Sequence, residues 1–307
     1  MLLCILGTAI MMLGLVLMRM MLSRIFSHHL KDRLITLTTS PYRGFILGIV
    51  GAMLLQGSTP VTLLTVALVG SRALTFPHSI AILLGANVGT CSTVPLLLAL
   101  PQVTGDLCIY LVLLLAVCLS IRRIRPLIGA IAGLTMMIEG FSLLRAGSAS
   151  LIGIGDLFTY LQASDTSPLI AILIGIVLTF ILQSASSATL LLTTLAEEHL
   201  FSLHTICHII YGNNIGSCLS AILASLAATR EARMSALANL ILNIGGVLLF
   251  LPLTSLLLTL ATALAPTPAD CLVVLHTVFN LVGSLLLLPF TKQYATLIER
   301  IYPLKRT

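Results

Sequence analysis

Charge is what this sequence lacks. Only 8% of its 307 residues are Asp, Glu, Lys or Arg, while 58% are hydrophobic and the mean hydropathy is +1.12. A soluble domain so short of charge would have too little polar surface to stay dissolved. The bilayer is therefore the solvent for most of the chain. Aromatic residues are scarce as well, at 5%, and none interleave with the basic ones. The net charge of +6 is thus no nucleic-acid footprint; the basic residues fall in short connections and read as topology determinants. The seven cysteines (Cys4, Cys91, Cys108, Cys118, Cys207, Cys218 and Cys271) form no CxxC or metal-type spacing, which leaves them as small apolar packers. The first 22 residues lack a basic start and a small-x-small cleavage site, so they are expected to stay as a span.

Roughly 20 apolar residues cross a bilayer core. Full spans are expected at about 1–22, 79–100, 106–121, 126–144, 203–228, 234–251 and 270–290. Two other apolar stretches, 42–70 and 168–196, are broken near their middles by QGSTP (56–60) and QSASS (183–187). Each half is too short to cross alone, so both are expected to be re-entrant hairpins that enter and leave on one side. With the hairpins returning and the spans alternating, fifteen of the 16 lysines and arginines share one side and only Arg145 lies opposite. The positive-inside bias makes that side cytoplasmic. Asp106, Asp156, Asp165, Glu197, Glu198 and Asp270 then fall outside. The N-terminus is expected outside and the C-terminus in the cytoplasm, in a plasma (inner) membrane. The stretch 253–265 is either a partial span or an extension of the preceding helix.

Residues 41–100 align without a gap to 168–227, an offset of 127. Apolar identities arise by chance between membrane segments, but polar and glycine identities do not: Pro41/Pro168, Gly48/Gly175, Gln56/Gln183, Thr62/Thr189, Gly85/Gly212, Asn87/Asn214 and Gly89/Gly216. Each copy holds three crossings, an odd number, so the second copy must be inverted. The expected fold is an all-α polytopic membrane protein of two inverted-topology repeats, each with a re-entrant hairpin and a broken transmembrane helix. The copies occupy residues 1–125 and 126–307, the second with an extra C-terminal span. Such inverted repeats are a common plan for alternating access in secondary transporters. A smaller repeat, at an offset of 37, relates Asn239/His276, Asn243/Asn280, Gly246/Gly283 and Pro252/Pro289.

Unwound chain at membrane depth must face protein or a water-filled cavity. The hairpin tips supply backbone N–H and C=O groups, and their Gln, Ser and Thr side chains add donors and acceptors. Such a set can replace water around a small ion: oxygens suit sodium, while N–H and O–H donors suit an anion. GANVGT (85–90) and GNNIGS (212–217) are expected to be breaks in spans, where glycine permits the turn. Hydroxyl and small residues also pack membrane helices, which is the competing explanation for any one of them. Glu139 lies inside a span. His276 and Asn280 share a helix face. His28, His29, His78 and His199 are expected in interfacial loops. His204 and His208 share a face without a carboxylate or thiolate to complete a metal site.

QSASSAT (183–189) followed by GNNIGS (212–217) closely resembles the QSSSAT and GANIGTT signatures of the type II sodium/phosphate cotransporter family. GANVGT matches the second signature again, and HTVFNLVGSLLLLP (276–289) resembles that family's closing helix. The resemblance covers essentially the whole chain. It implies a carrier of inorganic phosphate driven by sodium, with no covalent chemistry and no cofactor beyond the coupling ion. Carried over, the binding residues are Gln183, Ser184, Ser186, Ser187 and Thr189, with Gln56, Ser58, Thr59 and Thr62 opposite. Asn87, Thr90, Asn214 and Ser217 complete the sites. Sodium would be held by the same hydroxyl and amide groups, without individual ligands assigned. The sequence departs from the pattern at Gly57 and Pro60 in the first hairpin, at Asn213, and at Asn239, where the family often has histidine. The helical cytoplasmic domain carried by many bacterial relatives is not expected, and a homo-oligomer is a further partner the reading allows. The alternatives are a carrier for another oxyanion, a proton-coupled carrier, a serine–histidine intramembrane hydrolase and a non-transporting membrane scaffold.

Overall fold

Lipid offers no hydrogen bonds to a backbone, so a chain this apolar satisfies its peptide groups within helices. The computed structural model describes residues 2–37, 40–99, 125–148, 167–198 and 201–302, and every regular element among them is helical. In chain order these are α1 (Leu2–Leu37), α2 (Pro41–Leu54), α3 (Ser58–Gly70), α4 (Phe76–Thr90), α5 (Thr93–Ala99), α6 (Arg125–Ser148), α7 (Pro168–Leu182), α8 (Ala185–Glu197), α9 (Leu203–Ser225), α10 (Arg230–Phe250), α11 (Thr254–Leu264), α12 (Pro268–Leu287) and α13 (Thr291–Ile301). The expected span at 106–121 lies outside the described residues. So do Cys108, Cys118, His199 and the charges at Asp106, Arg122, Arg123, Asp156, Asp165, Lys305 and Arg306.

Six segments are long and apolar enough to cross a membrane: Ile5–Leu22, Phe76–Ala99, Arg125–Leu144, Leu203–Ser225, Arg230–Leu264 and Pro268–Ile301. The chain is an integral membrane protein. The halves of the two interrupted stretches stay short, at 13 to 15 residues each. The first helix runs well past the expected span, to Leu37, so His28 and His29 are helical rather than in a loop. His78 likewise sits in the first turn of α4 and meets the Thr75 hydroxyl through Nδ1 at 2.9 Å.

The expectation of breaks at the two glycine motifs needs correction. α9 runs without interruption through Gly212–Ser217, and α4 continues through Gly85–Thr90 before the chain turns at Cys91–Ser92. The glycines serve close approach instead of a turn. A methyl group on Gly85 would strike the Phe45 carbonyl oxygen, and one on Gly212 would strike that of Ile172. Gly48 and Gly175 meet the Ile82 and Ile209 carbonyls in the same way. Each of these contacts maps onto its counterpart by adding 127. Small residues let membrane helices touch backbone to backbone.

These contacts also set direction. Gly44 lies beside Ala81, Gly48 beside Ile82 and Ala86, and Gly89 beside Ile49 and Ala52, so α2 and α4 run parallel. The numbering rises together in the second copy too, from Gly212 beside Ile172 to Gly216 beside Ile176 and Thr179. The intervening α3 must therefore return the chain to the end where α2 began, through the tight turn at Ser71–Thr75, in which Ala73 N–H bonds the Leu68 carbonyl.

The leading helices α1 and α6 pack along their lengths in opposite directions. A methyl on Gly14 would lie 2.6 Å from the Gly133 oxygen, and one on Gly133 would lie 2.6 Å from the Gly14 oxygen. Gly7 and Gly140 pair reciprocally at 2.7 and 2.6 Å.

The small repeat extends further than its sequence identities. Leu251–Leu253 and Leu288–Phe290 are matching 3-10 turns, each holding a proline. The 11-residue helices α11 and α13 follow them, again 37 residues apart. Proline removes an N–H and ends the regular helix, so 253–265 is a short second helix appended to α10. α10 packs on α9 and α12 packs on α4.

Candidate transport site

Two turns dominate the site. Gln56 and Gln183 end α2 and α7 with φ of 53° and 51°, a left-handed conformation that normally selects glycine. For a residue with a Cβ it costs about 1–2 kcal/mol. In both turns the glutamine side chain offsets part of that cost by donating Nε2–H to a carbonyl three residues back. Gln56 reaches the Met53 oxygen at 2.9 Å and Gln183 the Phe180 oxygen at 2.6 Å. The same strained residue with the same cap, twice at an offset of 127, marks both tips as built features.

Beyond the glutamine the tips diverge. Ser184 is the N-cap of α8, and its Oγ accepts the Ser187 N–H at 3.2 Å. In the first tip the corresponding pair is Gly57 and Pro60. Gly57 has no side chain to accept, and Pro60 has no N–H to donate. The two departures are thus one change: the cap's acceptor and donor vanish together, and neither leaves an orphan.

Ser58, Thr62, Ser184, Ser186, Ser187, Thr189, Asn87, Thr90 and Asn214 are buried. Thr59, Gln56 and Ser217 are half-buried, and Gln183 is exposed. Several satisfy themselves within their own helices: Thr90 Oγ1 donates to the Ala86 carbonyl, Thr189 to Ala185, Asn214 Nδ2 to Ile210 and Ser217 to Asn214. Three do not. Ser186 Oγ, Ser187 Oγ and Asn87 Nδ2 are buried without a hydrogen-bond partner among the described residues. A buried orphan costs about 1–3 kcal/mol, so each of these groups calls for a partner such as water, an ion or a ligand.

Elements of the two copies pack on one another. α3 packs on α9 and α10, while α8 packs on α5, α6 and α12. Val66 shares a buried cluster with Ala221, and Leu190 shares one with Val94 and Leu97. Asn213, where the first copy has Ala86, is fully buried between helices. With its amide nitrogen toward Thr179 Oγ1 at 3.0 Å, its oxygen faces Thr189 Oγ1 at 3.5 Å. A cavity of about 300 Å³ lies beside Asn87, walled by Asn243, Asn280, Ser284 and apolar side chains.

Some contributors were not among the expected site residues. Cys91 and Cys218, also 127 apart, do more than pack. Cys91 Sγ meets the His276 carbonyl at 3.6 Å. Cys218 Sγ receives Asn243 Nδ2 at 3.2 Å and Asn239 Nδ2 at 3.4 Å. Each copy's long helix is thereby pinned to one member of the small repeat. Asn280 and Asn243 then each cap the carbonyl four residues back, at 3.0 and 2.9 Å. Ser220 Oγ donates to Gln183 Oε1 at 2.6 Å, tying the second tip to α9. The signal for both was present in the alignment, since Cys91/Cys218 and Thr93/Ser220 keep their chemistry between copies. Glu139 is half-buried on α6. The His204 and His208 rings lie edge to face, 5.9 Å apart, and no group of three metal-ligating side chains occurs among the described residues.

All-helical packing and six segments apolar and long enough to cross a bilayer define an integral membrane protein. The chain belongs to the Na+/Pi-cotransporter family, whose model matches residues 10–146 and again 140–265. It is 29% identical over 247 residues to YqeW of Bacillus subtilis, an uncharacterized protein, covering 78% of each chain. It is 25% identical over 270 residues to YjbB of Escherichia coli, named as a candidate inorganic phosphate export protein; the match takes in 88% of this chain and 50% of that one. Over 105 residues it is 38% identical to the rabbit (Oryctolagus cuniculus) sodium-dependent phosphate transport protein 2A, covering 32% of this chain and 16% of that protein. No solved structure matches the chain.

Proposed function

We propose that this protein is a secondary active transporter that moves inorganic phosphate across the plasma (inner) membrane, coupled to sodium by alternating access. The observation that carries this reading is the set of buried donors at Ser186, Ser187 and Asn87 that have no hydrogen-bond partner among the described residues. Hydroxyl and amide donors recognise a phosphate oxygen without a fixed positive charge, and so can release it again. Oxygens of Gln56, Ser58, Thr59, Thr62, Thr90, Gln183, Ser184, Thr189, Asn214 and Ser217, with the carbonyls of the turns, are suited to sodium. Sodium is cargo and coupling ion, and no cofactor is involved.

In this reading residues 1–125 and 126–307 are inverted repeats, with re-entrant hairpins meeting from opposite sides. The antiparallel packing of the two leading helices supports the inversion, because equivalent helices of inverted repeats cross the membrane in opposite directions. The N-terminus lies outside and the C-terminus in the cytoplasm. Phosphate uptake into proteoliposomes tests the proposal: flux should follow an imposed sodium gradient and disappear in Gln183→Ala. Equal flux with and without that gradient removes sodium from the mechanism. The reduced first tip, with Gly57 and Pro60 in place of hydroxyls, favours one second reading, a carrier coupled to protons or taking another oxyanion. A pH gradient and competition by arsenate or sulfate separate these cases.

A further inference from the structure

The two copies are caught in different conformations. In the second, Ser220 Oγ latches the Gln183 side chain at 2.6 Å, and α9 runs straight past it to Ser225. In the first, the position equivalent to Ser220 is Thr93. Its side chain is fully buried, and Oγ1 has no hydrogen-bond partner among the described residues. The helix is interrupted just before it, at Cys91–Ser92, so Thr93 begins the separate α5. A buried hydroxyl left unpaired is unfavourable, and a conformation in which it is paired already exists on the other copy.

We infer that Ser220 and Thr93 are alternating positioning residues, each holding its own tip glutamine in one of the two access states. This rests on the transport reading. In the state shown, Gln183 is held by Ser220 and Thr93 is idle. In the opposite state α4 and α5 straighten, Thr93 takes the Gln56 amide oxygen, and Ser220 gives up Gln183. The exposures exchange with the bonds. Thr93 takes on the half-buried position that Ser220 has here, and Ser220 becomes buried. Removing the Ser220 hydroxyl therefore destabilises the state shown and releases the opposite copy.

Labelling of Thr93→Cys by a small membrane-permeant maleimide tests this in the full chain in proteoliposomes, with the native chain as the control for its own cysteines. Neither sodium nor phosphate is needed, so the latch can fail while phosphate flux persists, and flux can fail while the latch stands. Thr93→Cys alone should label slowly. Adding Ser220→Ala should accelerate labelling about three- to tenfold, the population shift expected from one lost hydrogen bond. Ser220→Thr, which keeps the hydroxyl, should leave the slow rate unchanged. Gln183→Leu, removing the other half of the latch, should accelerate labelling as Ser220→Ala does, with no further gain in combination. That variant also carries the test if Ser220→Ala does not fold. Unchanged labelling with Ser220→Ala or Gln183→Leu overturns the proposal. Equal acceleration with Ser220→Thr also overturns it, because it would mean general loosening.

Discussion

The two hairpin tips are built to one plan and finished differently. Both turn on a left-handed glutamine whose amide closes the preceding helix. After that residue, the second tip uses its hydroxyls in two ways: Ser184 caps the next helix, and Ser186 and Ser187 stay buried and, among the described residues, unpaired. The first tip replaces the capping pair with Gly57 and Pro60. The comparison separates what the two tips share from what distinguishes them. The glutamine turn and the glycine contacts are shared, and so belong to the architecture. The unpaired serines occur in one tip alone, and in the transport reading they belong to its chemistry.

The shared part should be the more sensitive to substitution. Gly212→Val and Gly85→Val each place a side chain on a backbone carbonyl of the neighbouring helix. Both should abolish the monodisperse peak in detergent gel filtration, since overpacking costs about 1–3 kcal/mol even where neighbours can move, and a carbonyl cannot. If one copy tolerates the change, the two are not structurally equivalent.

The unshared part should separate the tips functionally. Ser187→Ala removes an unpaired donor that the second tip alone keeps. Phosphate flux should fall at least about tenfold, as for a lost hydrogen bond to a charged ligand of about 1.5–3 kcal/mol, while the melting temperature holds or rises. Thr59→Ala, half-buried in the first tip, should cost less flux. The reverse order would move the substrate site to the first copy.

The smallest effect concerns the coupled cap. Gly57→Ser alone puts a Cβ at φ 148° and should destabilise by about 1–3 kcal/mol. Pro60→Ser supplies the missing N–H. Combined with Gly57→Ser it should recover about 1 kcal/mol relative to the sum of the single changes, read from thermal unfolding in detergent. Strict additivity would mean that the two positions are independent.

Much of this was legible without coordinates because polar residues in a membrane segment are expensive to keep. Gln56/Gln183 and Asn87/Asn214 therefore stand out in an alignment that apolar identities would blur. The glycines misled for the opposite reason. In an apolar helix a glycine signals either a turn or a close neighbour, and only the position of Phe45 beside Gly85, or Ile172 beside Gly212, decides between them. The small repeat ended at Pro252/Pro289 on paper because α11 and α13 share a shape and few identities. α13 is polar on one face and carries Lys292 and Arg300, whereas α11 is apolar. The unpaired state of Ser186 and Ser187 had no sequence signal at all, since pairing depends on what the fold brings near.

The glycine seam between α1 and α6 has its own implication. Gly7 meets Gly140 and Gly14 meets Gly133, while Gly7 and Gly14 themselves stand 126 residues before Gly133 and Gly140. The seam is isologous, the kind of surface by which two identical chains pair about a two-fold axis, here enclosed within one polypeptide. Two free and identical subunits must change together, because one gene writes both. Fusion lifts that restriction: each half can diverge at its own tip while the seam between them keeps its symmetry.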